Sequence, residues 1–138
     1  LHTTKADLRA QLLPRAPRFE PQDLVEAGER YARATGYPIQ YQWTLIEGVN
    51  DGPDEIDGIE RLLKGKYALM NMIPFNAVPD LPYQRPSWER AAEIARTLHR
   101  RGILTKLRQS AGQDVEGGCG QLRARDVVHK VKIVRSVA

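Results

Sequence analysis

The sequence predicts an α/β fold, and three observations predict it. Apolar residues recur at helical spacing in three segments. Short runs rich in β-branched and aromatic or apolar residues stand between and after them. The two patterns alternate as strand, helix, strand, helix, strand, which in one sheet requires parallel pairing with right-handed crossovers. Three strands and their helices leave sheet edges open, so the expected architecture is a slice of an α/β sheet or a partial (β/α) barrel.

Each element follows from local chemistry. Residues 22–35 place Leu24, Val25, Gly28, Tyr31 and Ala32 on one helical face, with Asp23 and Glu26 in the first turn and Gly36 as the stop. Ile39, Tyr41, Trp43 and Leu45 alternate with Gln40, Gln42 and Thr44, a half-buried strand with Trp43 in the core. Residues 49–53, Val-Asn-Asp-Gly-Pro, are turn chemistry. A short helix over 53–64 turns Ile56, Ile59 and Leu63 inward and ends at Gly65. Residues 67–73 form a near-continuous apolar run, which suits a strand buried on both faces. A long loop over 74–86 holds four of the nine prolines. Ser87 caps a helix to Arg101 with Ala91, Ile94, Ala95 and Leu98 inward, Trp88 anchoring its start, and Gly102 as stop. Residues 103–108 read as a third strand and 109–120 as a glycine-rich loop. Residues 127–134 fit either a strand or an extended tail.

Composition excludes whole classes. The 138 residues are 41% hydrophobic and 28% charged, which suits a globular chain rather than a disordered one. The single cysteine, Cys119, forms no internal disulfide and supplies no multi-thiolate cluster, so a reducing, cytoplasmic setting is expected. No apolar run reaches the ~20 residues that a bilayer span needs. The start, Leu-His-Thr-Thr-Lys, shows neither an initiator Met nor a signal pattern, and the chain is expected to be a piece of something longer. Charge is unevenly spread. Residues 1–84 carry 9 basic and 12 acidic side chains, whereas residues 85–138 carry 12 basic and 5 acidic. The basic half fits either a polyanion footprint or a solvated Arg-rich surface.

In α/β folds ligands bind at the carboxyl ends of the strands. Three loops qualify, 47–54, 74–85 and 109–120, all rich in residues that bring backbone close to a ligand. Cys119 lies between Gly118 and Gly120, sterically accessible, with Arg108, Arg123 and Arg125 near in sequence to favour a thiolate. The alternative is an incidental thiol in a glycine loop. His2, His99 and His129 have no metal-ligand spacing, and His99 suits a helix C-terminus. Asn50, Asp51 and Asn76 fit turns. Phe75 and Tyr83 beside Arg85 suit either base stacking or packing on their own scaffold.

Four motifs then stand in order: Leu1-His2, Gly48-Val49-Asn50-Asp51, Asn71-Met72-Ile73-Pro74-Phe75-Asn76, and Gly118-Cys119-Gly120-Gln121-Leu122. Together they closely resemble the C-terminal half of the radical S-adenosylmethionine RNA methyltransferases of the RlmN/Cfr family. The resemblance covers residues 1–122 and leaves 123–138 as a basic C-terminal tail. It implies the C-terminal part of a (β/α)6 barrel, S-adenosylmethionine as cofactor, and a 4Fe-4S cluster held by a CxxxCxxC motif. It also implies methylation of adenosine, at carbon 2, in 23S ribosomal RNA and in some members transfer RNA. By the same resemblance, Cys119 carries a methyl group that a 5′-deoxyadenosyl radical activates, and a second cysteine resolves the protein–RNA adduct. Leu1, His2 and Asn76 match residues that contact S-adenosylmethionine. The intact enzyme would need RNA and a reducing partner such as flavodoxin, with no membrane involved.

The departures carry weight too. The chain has no CxxxCxxC, no second cysteine and no serine before Leu1, and Gln42-Trp43 stands where Glu-Tyr is expected. The piece alone is therefore expected to be inactive and to self-associate through open strand edges. The competing reading is a non-catalytic RNA-binding or interaction module derived from that family.

Overall fold

The computed structural model describes residues 1–109. The order of elements is α1 (Ala6–Leu12), α2 (Pro21–Thr35), β1 (Ile39–Leu45), α3 (Pro53–Leu63), β2 (Ala68–Pro74), α4 (Trp88–Arg100) and β3 (Thr105–Leu107). The strands form one parallel sheet in the order β1-β2-β3. Three of the four helices and all three strands lie where the periodicity puts them. Helix α1 was not expected from the sequence. Its seven residues bury none of their number, so no apolar stripe marks it.

Local chemistry sets the boundaries. Pro21 and Pro53 occupy the first turns of α2 and α3, where a missing N–H costs nothing. Gly36 ends α2 in the left-handed conformation (φ 76°), and its N–H bonds to Ala32 O at 2.8 Å. Ser87 Oγ accepts from the Arg90 N–H at 3.1 Å and caps α4. Trp88 does not anchor that helix: it is 43% exposed, and the serine cap fixes the start instead. In α2 the inward face is built from Val25 and Ala32, with Gly28 against Tyr41. Tyr31 lies off that stripe and is 58% exposed, contrary to its expected place on the buried face.

Register decides what each face of the sheet presents. Tyr41 pairs with Met70 and Thr105, and Trp43 with Met72 and Leu107. On this face Trp43, Met70 and Met72 form a single core with Val25, Ile59 and Ile94 of the three long helices. One residue along, Gln42 pairs with Asn71 and Lys106 on the opposite face. Gln40, Gln42 and Lys106 are exposed there. Leu69 and Asn71 are buried as well as Met70 and Met72, so the apolar run in β2 is indeed enclosed on both sides at its centre. A polar, exposed flank is unusual for a parallel sheet, whose faces are ordinarily both covered.

Candidate functional site at the carboxyl ends of the strands

The N-terminal segment, rather than a loop after a strand, is the centre of the site. Leu1 and His2 bond along the edge of β1, and Thr3 to Lys5 bond to the first turn of α3. The Leu1 nitrogen donates to Gln42 O at 3.2 Å, and the Thr44 N–H donates to His2 Nδ1 at 2.9 Å. His2 adopts φ 66°, the only positive φ of a non-glycine residue in the described chain. That conformation is uncommon for a bulky side chain and persists only where surroundings hold it.

Two buried polar residues do the holding. Asn50, 2% exposed, accepts from the Ile46 N–H through Oδ1 at 2.7 Å. Its Nδ2 donates to His2 O and to Thr44 O, both at 2.8 Å. Both amide hydrogens and the oxygen are thus used. Glu55, 1% exposed in the first turn of α3, accepts from the Thr3 hydroxyl on one oxygen. Its other oxygen accepts from the Thr4 N–H at 2.8 Å and the Thr4 hydroxyl at 2.6 Å. Its place near a helix N-terminus suits a carboxylate. Thr4 in turn lies against Gly58, where a Cβ would stand 2.4 Å from its Oγ1.

The loop after β2 folds back over the end of β1. The Phe75 N–H bonds to Leu45 O at 2.9 Å and the Glu47 N–H to Gln84 O at 3.0 Å. Phe75 and Tyr83 meet edge to face, centroids 5.9 Å apart at 89°, so these aromatics pack on one another. Asn76 Oδ1 accepts from Arg85 Nη1 at 2.8 Å. Arg90 of α4 reaches Asp51 O at 2.7 Å, joining the loop after β1 to that helix. Together these segments enclose a cleft of about 210 Å³, lined by His2, Thr44, Ile46, Phe75 and Tyr83 with Leu12, Leu13 and Leu81. A larger hollow of about 420 Å³ lies between α1 and the start of α2, lined by Arg9, Leu13 and Phe19 among others, away from the strand ends.

Burial pushes the His2 imidazole down to a pKa of about 4, with the positive charge of Arg9 acting in the same sense. The ring is therefore neutral at pH 7, which agrees with Nδ1 acting as an acceptor. Of the residues singled out from the sequence, Leu1 packs against the core, His2 lines the cleft, and Asn76 follows a cleft residue. Cys119 and the loop 109–120 beyond its first residue lie outside the described residues, as does the basic tail. Sequence reasoning assigned Asn50 to a turn and passed over Glu55. The capping-like position of Glu55 behind Gly52-Pro53 was visible, but its partners, some 50 residues away, were not.

Comparison with known proteins bears on the fold and on the kind of protein the chain is similar to. No family model matches the chain. It is 81% identical over 127 residues to a probable RNA methyltransferase of Leptothrix cholodnii and 76% identical over 127 residues to one of Azoarcus sp.. These alignments take in 92% of the chain and 37% of each relative, so the chain spans about a third of the length of the curated relatives it matches. Among solved structures it is similar to a radical SAM methyltransferase from Sphaerobacter thermophilus. That match has TM-score 0.80 and 38% identity, over 88% of this chain and 36% of the other. A domain of a pyruvate-formate lyase-activating enzyme from Bacteroides vulgatus shares the fold, with TM-score 0.62 at 21% identity, over 78% of this chain and 63% of that one.

Proposed function

We propose that this chain forms the C-terminal part of the catalytic (β/α) barrel of a cytoplasmic radical S-adenosylmethionine RNA methyltransferase of the RlmN/Cfr type. Its substrate would be adenosine, methylated at carbon 2, in 23S ribosomal RNA and in transfer RNA, with Cys119 as the methyl carrier. The observation that carries the reading is the coincidence of two likenesses. Relatives named probable RNA methyltransferase and a radical SAM methyltransferase structure match the same stretch of chain, over about a third of their own lengths.

The residues present fit a nucleoside cofactor. The cleft at the strand ends combines aromatic and aliphatic walls with one neutral imidazole. On the exposed sheet face, buried Asn71 keeps an Oδ1 without a hydrogen-bond partner, while its Nδ2 donates to Gln40 at 3.2 Å. The residues do not fit an iron–sulfur cluster, because one cysteine cannot supply three thiolates. Those ligands belong to the two thirds of the relatives that this chain does not span. Bound S-adenosylmethionine would supply both the methyl group and the radical chemistry that places it on an unactivated ring carbon.

This chain's own residues have three tasks. His2 and the Phe75–Tyr83 pair border the cofactor, Arg85 orients Asn76 at the rim, and Cys119 accepts the methyl group on sulfur. The test is RNA methylation by the full-length protein with its cluster reconstituted, followed by nucleoside mass spectrometry that separates 2-methyladenosine from 8-methyladenosine. Cys119→Ala is expected to abolish methylation. Retained transfer by that variant would falsify the carrier role, and RNA binding without any methylation by the wild type would favour a non-catalytic module.

A further inference from the structure

We propose that the hollow between α1 and the start of α2 is a base-binding site of its own, taking a guanine that flanks the methylated adenosine in the RNA. The inference rests on the reading above for its class of partner, but the site lies outside the cleft at the strand ends. Two residues join the two spaces. Leu13 lines both, and Arg9, which lines the hollow, brings its charge within reach of His2 in the cleft. The methylated adenosine has to come beside the cofactor, so its neighbour along the RNA has this hollow within reach. At about 420 Å³ the hollow is also the roomier of the two, within the range of about 300–1,000 Å³ common for small-ligand clefts.

The lining selects a base rather than a phosphate. Arg9 Nη1 donates to Pro17 O at 2.8 Å, while its buried Nε has no hydrogen-bond partner among the described residues. A buried N–H without an acceptor is uncommon, and a ligand atom would supply one. Phe19, 51% exposed, offers a flat aromatic face, and Ala10, Leu13 and Pro17 add apolar wall. Asp7 and Asp23 line the same hollow from exposed positions, and the ion pairs among the described residues involve neither. With Glu20 these carboxylates outnumber Arg9 and Arg18, which disfavours a bare anion inside. The occupant must therefore accept from a guanidinium, donate to a carboxylate and stack on a ring. Guanine does all three. Its O6 and N7 accept from arginine, its N1–H and amine lie side by side for one carboxylate, and its faces stack. Arg18, exposed at the edge, is left for the phosphate.

The experiment is equilibrium binding of fluorescently labelled pentaribonucleotides to the full-length parent protein with its cluster reconstituted. Each probe carries a central adenosine in a uridine background, with uridine, inosine or guanosine on its 5′ or its 3′ side. Guanosine at one of the two positions is expected to bind about tenfold tighter than inosine there, the scale of the hydrogen bond that the missing amine gives up. Equal binding of guanosine and inosine at both positions overturns the proposal. The double variant Asp7→Ala/Asp23→Ala, at two exposed positions, is expected to erase the difference, and its persistence in that variant overturns the proposal as well. Phe19→Leu is expected to weaken the guanosine probe about tenfold, the scale of one base–aromatic stack, with the unfolding midpoint unchanged. A lowered midpoint with unchanged affinity instead makes the hollow a seat for another part of the parent protein and overturns the proposal. Methylation by the same preparations is scored separately. Methylation without a guanosine preference keeps the reading above and removes this site, whereas a guanosine preference without methylation keeps the site and removes that reading.

Discussion

The two ends of the sheet differ in where their polar side chains sit, although the carboxyl end also carries exposed ion pairs, Lys5 with Asp54 and Arg90 with Glu93. At the carboxyl ends of the strands, polar side chains are buried and fully used: Thr3, Asn50 and Glu55 are each no more than 2% exposed, and all bond across the chain. At the amino ends, charges sit in water. Arg33 pairs with Glu29, Lys64 with Glu60, and Arg101 with Asp57 and Glu60, and the basic partners are 36% to 64% exposed. Those cations lie at or near helix C-termini, where they complement the macrodipole. Buried hydrogen bonds fix backbone geometry where a ligand would bind, whereas exposed ion pairs leave it unconstrained.

The largest effect is therefore expected from Glu55→Ala. It strips one buried and two part-buried donors of their acceptor, and the loss should be about 3 kcal/mol. Chemical denaturation checks it, and a variant within experimental error of the wild type would mean that solvent replaces the carboxylate freely. Next come two glycines compared. Gly58→Ala drives a Cβ to 2.4 Å from Thr4 Oγ1 and 2.8 Å from its Cβ, and should cost about 2 kcal/mol by overpacking. Gly65→Ala, at φ 77° with open space around it, should cost about 1 kcal/mol from backbone strain alone. A reversed order would show that Thr4 yields easily and that the buried end is softer than its hydrogen bonds imply.

The sequence revealed the two ends unequally. The alternation of β1 and the apolar stripes of α2, α3 and α4 are local signals, and they set the sheet, its parallel order and the loops that meet at its carboxyl ends. Glycine and proline marked nearly every boundary because each acts on its own backbone. The clamp on His2 was illegible for the converse reason. Asn50 in Val-Asn-Asp-Gly reads as turn chemistry, and it does make the local bond to Ile46. Its Nδ2, however, spans 48 residues to His2, a contact that no window of sequence contains. Helix α1 escaped because it buries nothing.

A pH titration probes the buried end more gently. Burial holds the His2 pKa near 4 against its ordinary 6.5, so the folded chain binds fewer protons than the unfolded one between those values. Stability should be fully present above pH 6.5 and decline as pH falls toward 4. The positive charge of Arg9 acts in the same sense. His2→Gln should remove the loss that belongs to this window. Equal acid sensitivity in wild type and variant would place the titrating group elsewhere.

The smallest effect should come from the amino end. Arg101 forks between Asp57 Oδ1 at 2.6 Å and Glu60 Oε2 at 3.0 Å, and these two carboxylates raise its pKa above the ordinary value. The geometry is good, yet the guanidinium is solvated, and water and salt replace most of what a partner offers there. Arg101→Ala should leave the unfolding midpoint within error of the wild type at 0.15 M salt, with any difference shrinking further as salt rises. The same variant should leave the His2 tautomer untouched, since Arg101 follows α4 and touches none of the clamp residues. A marked loss of stability, or a change at His2, would couple the two ends of the sheet and break the division between them.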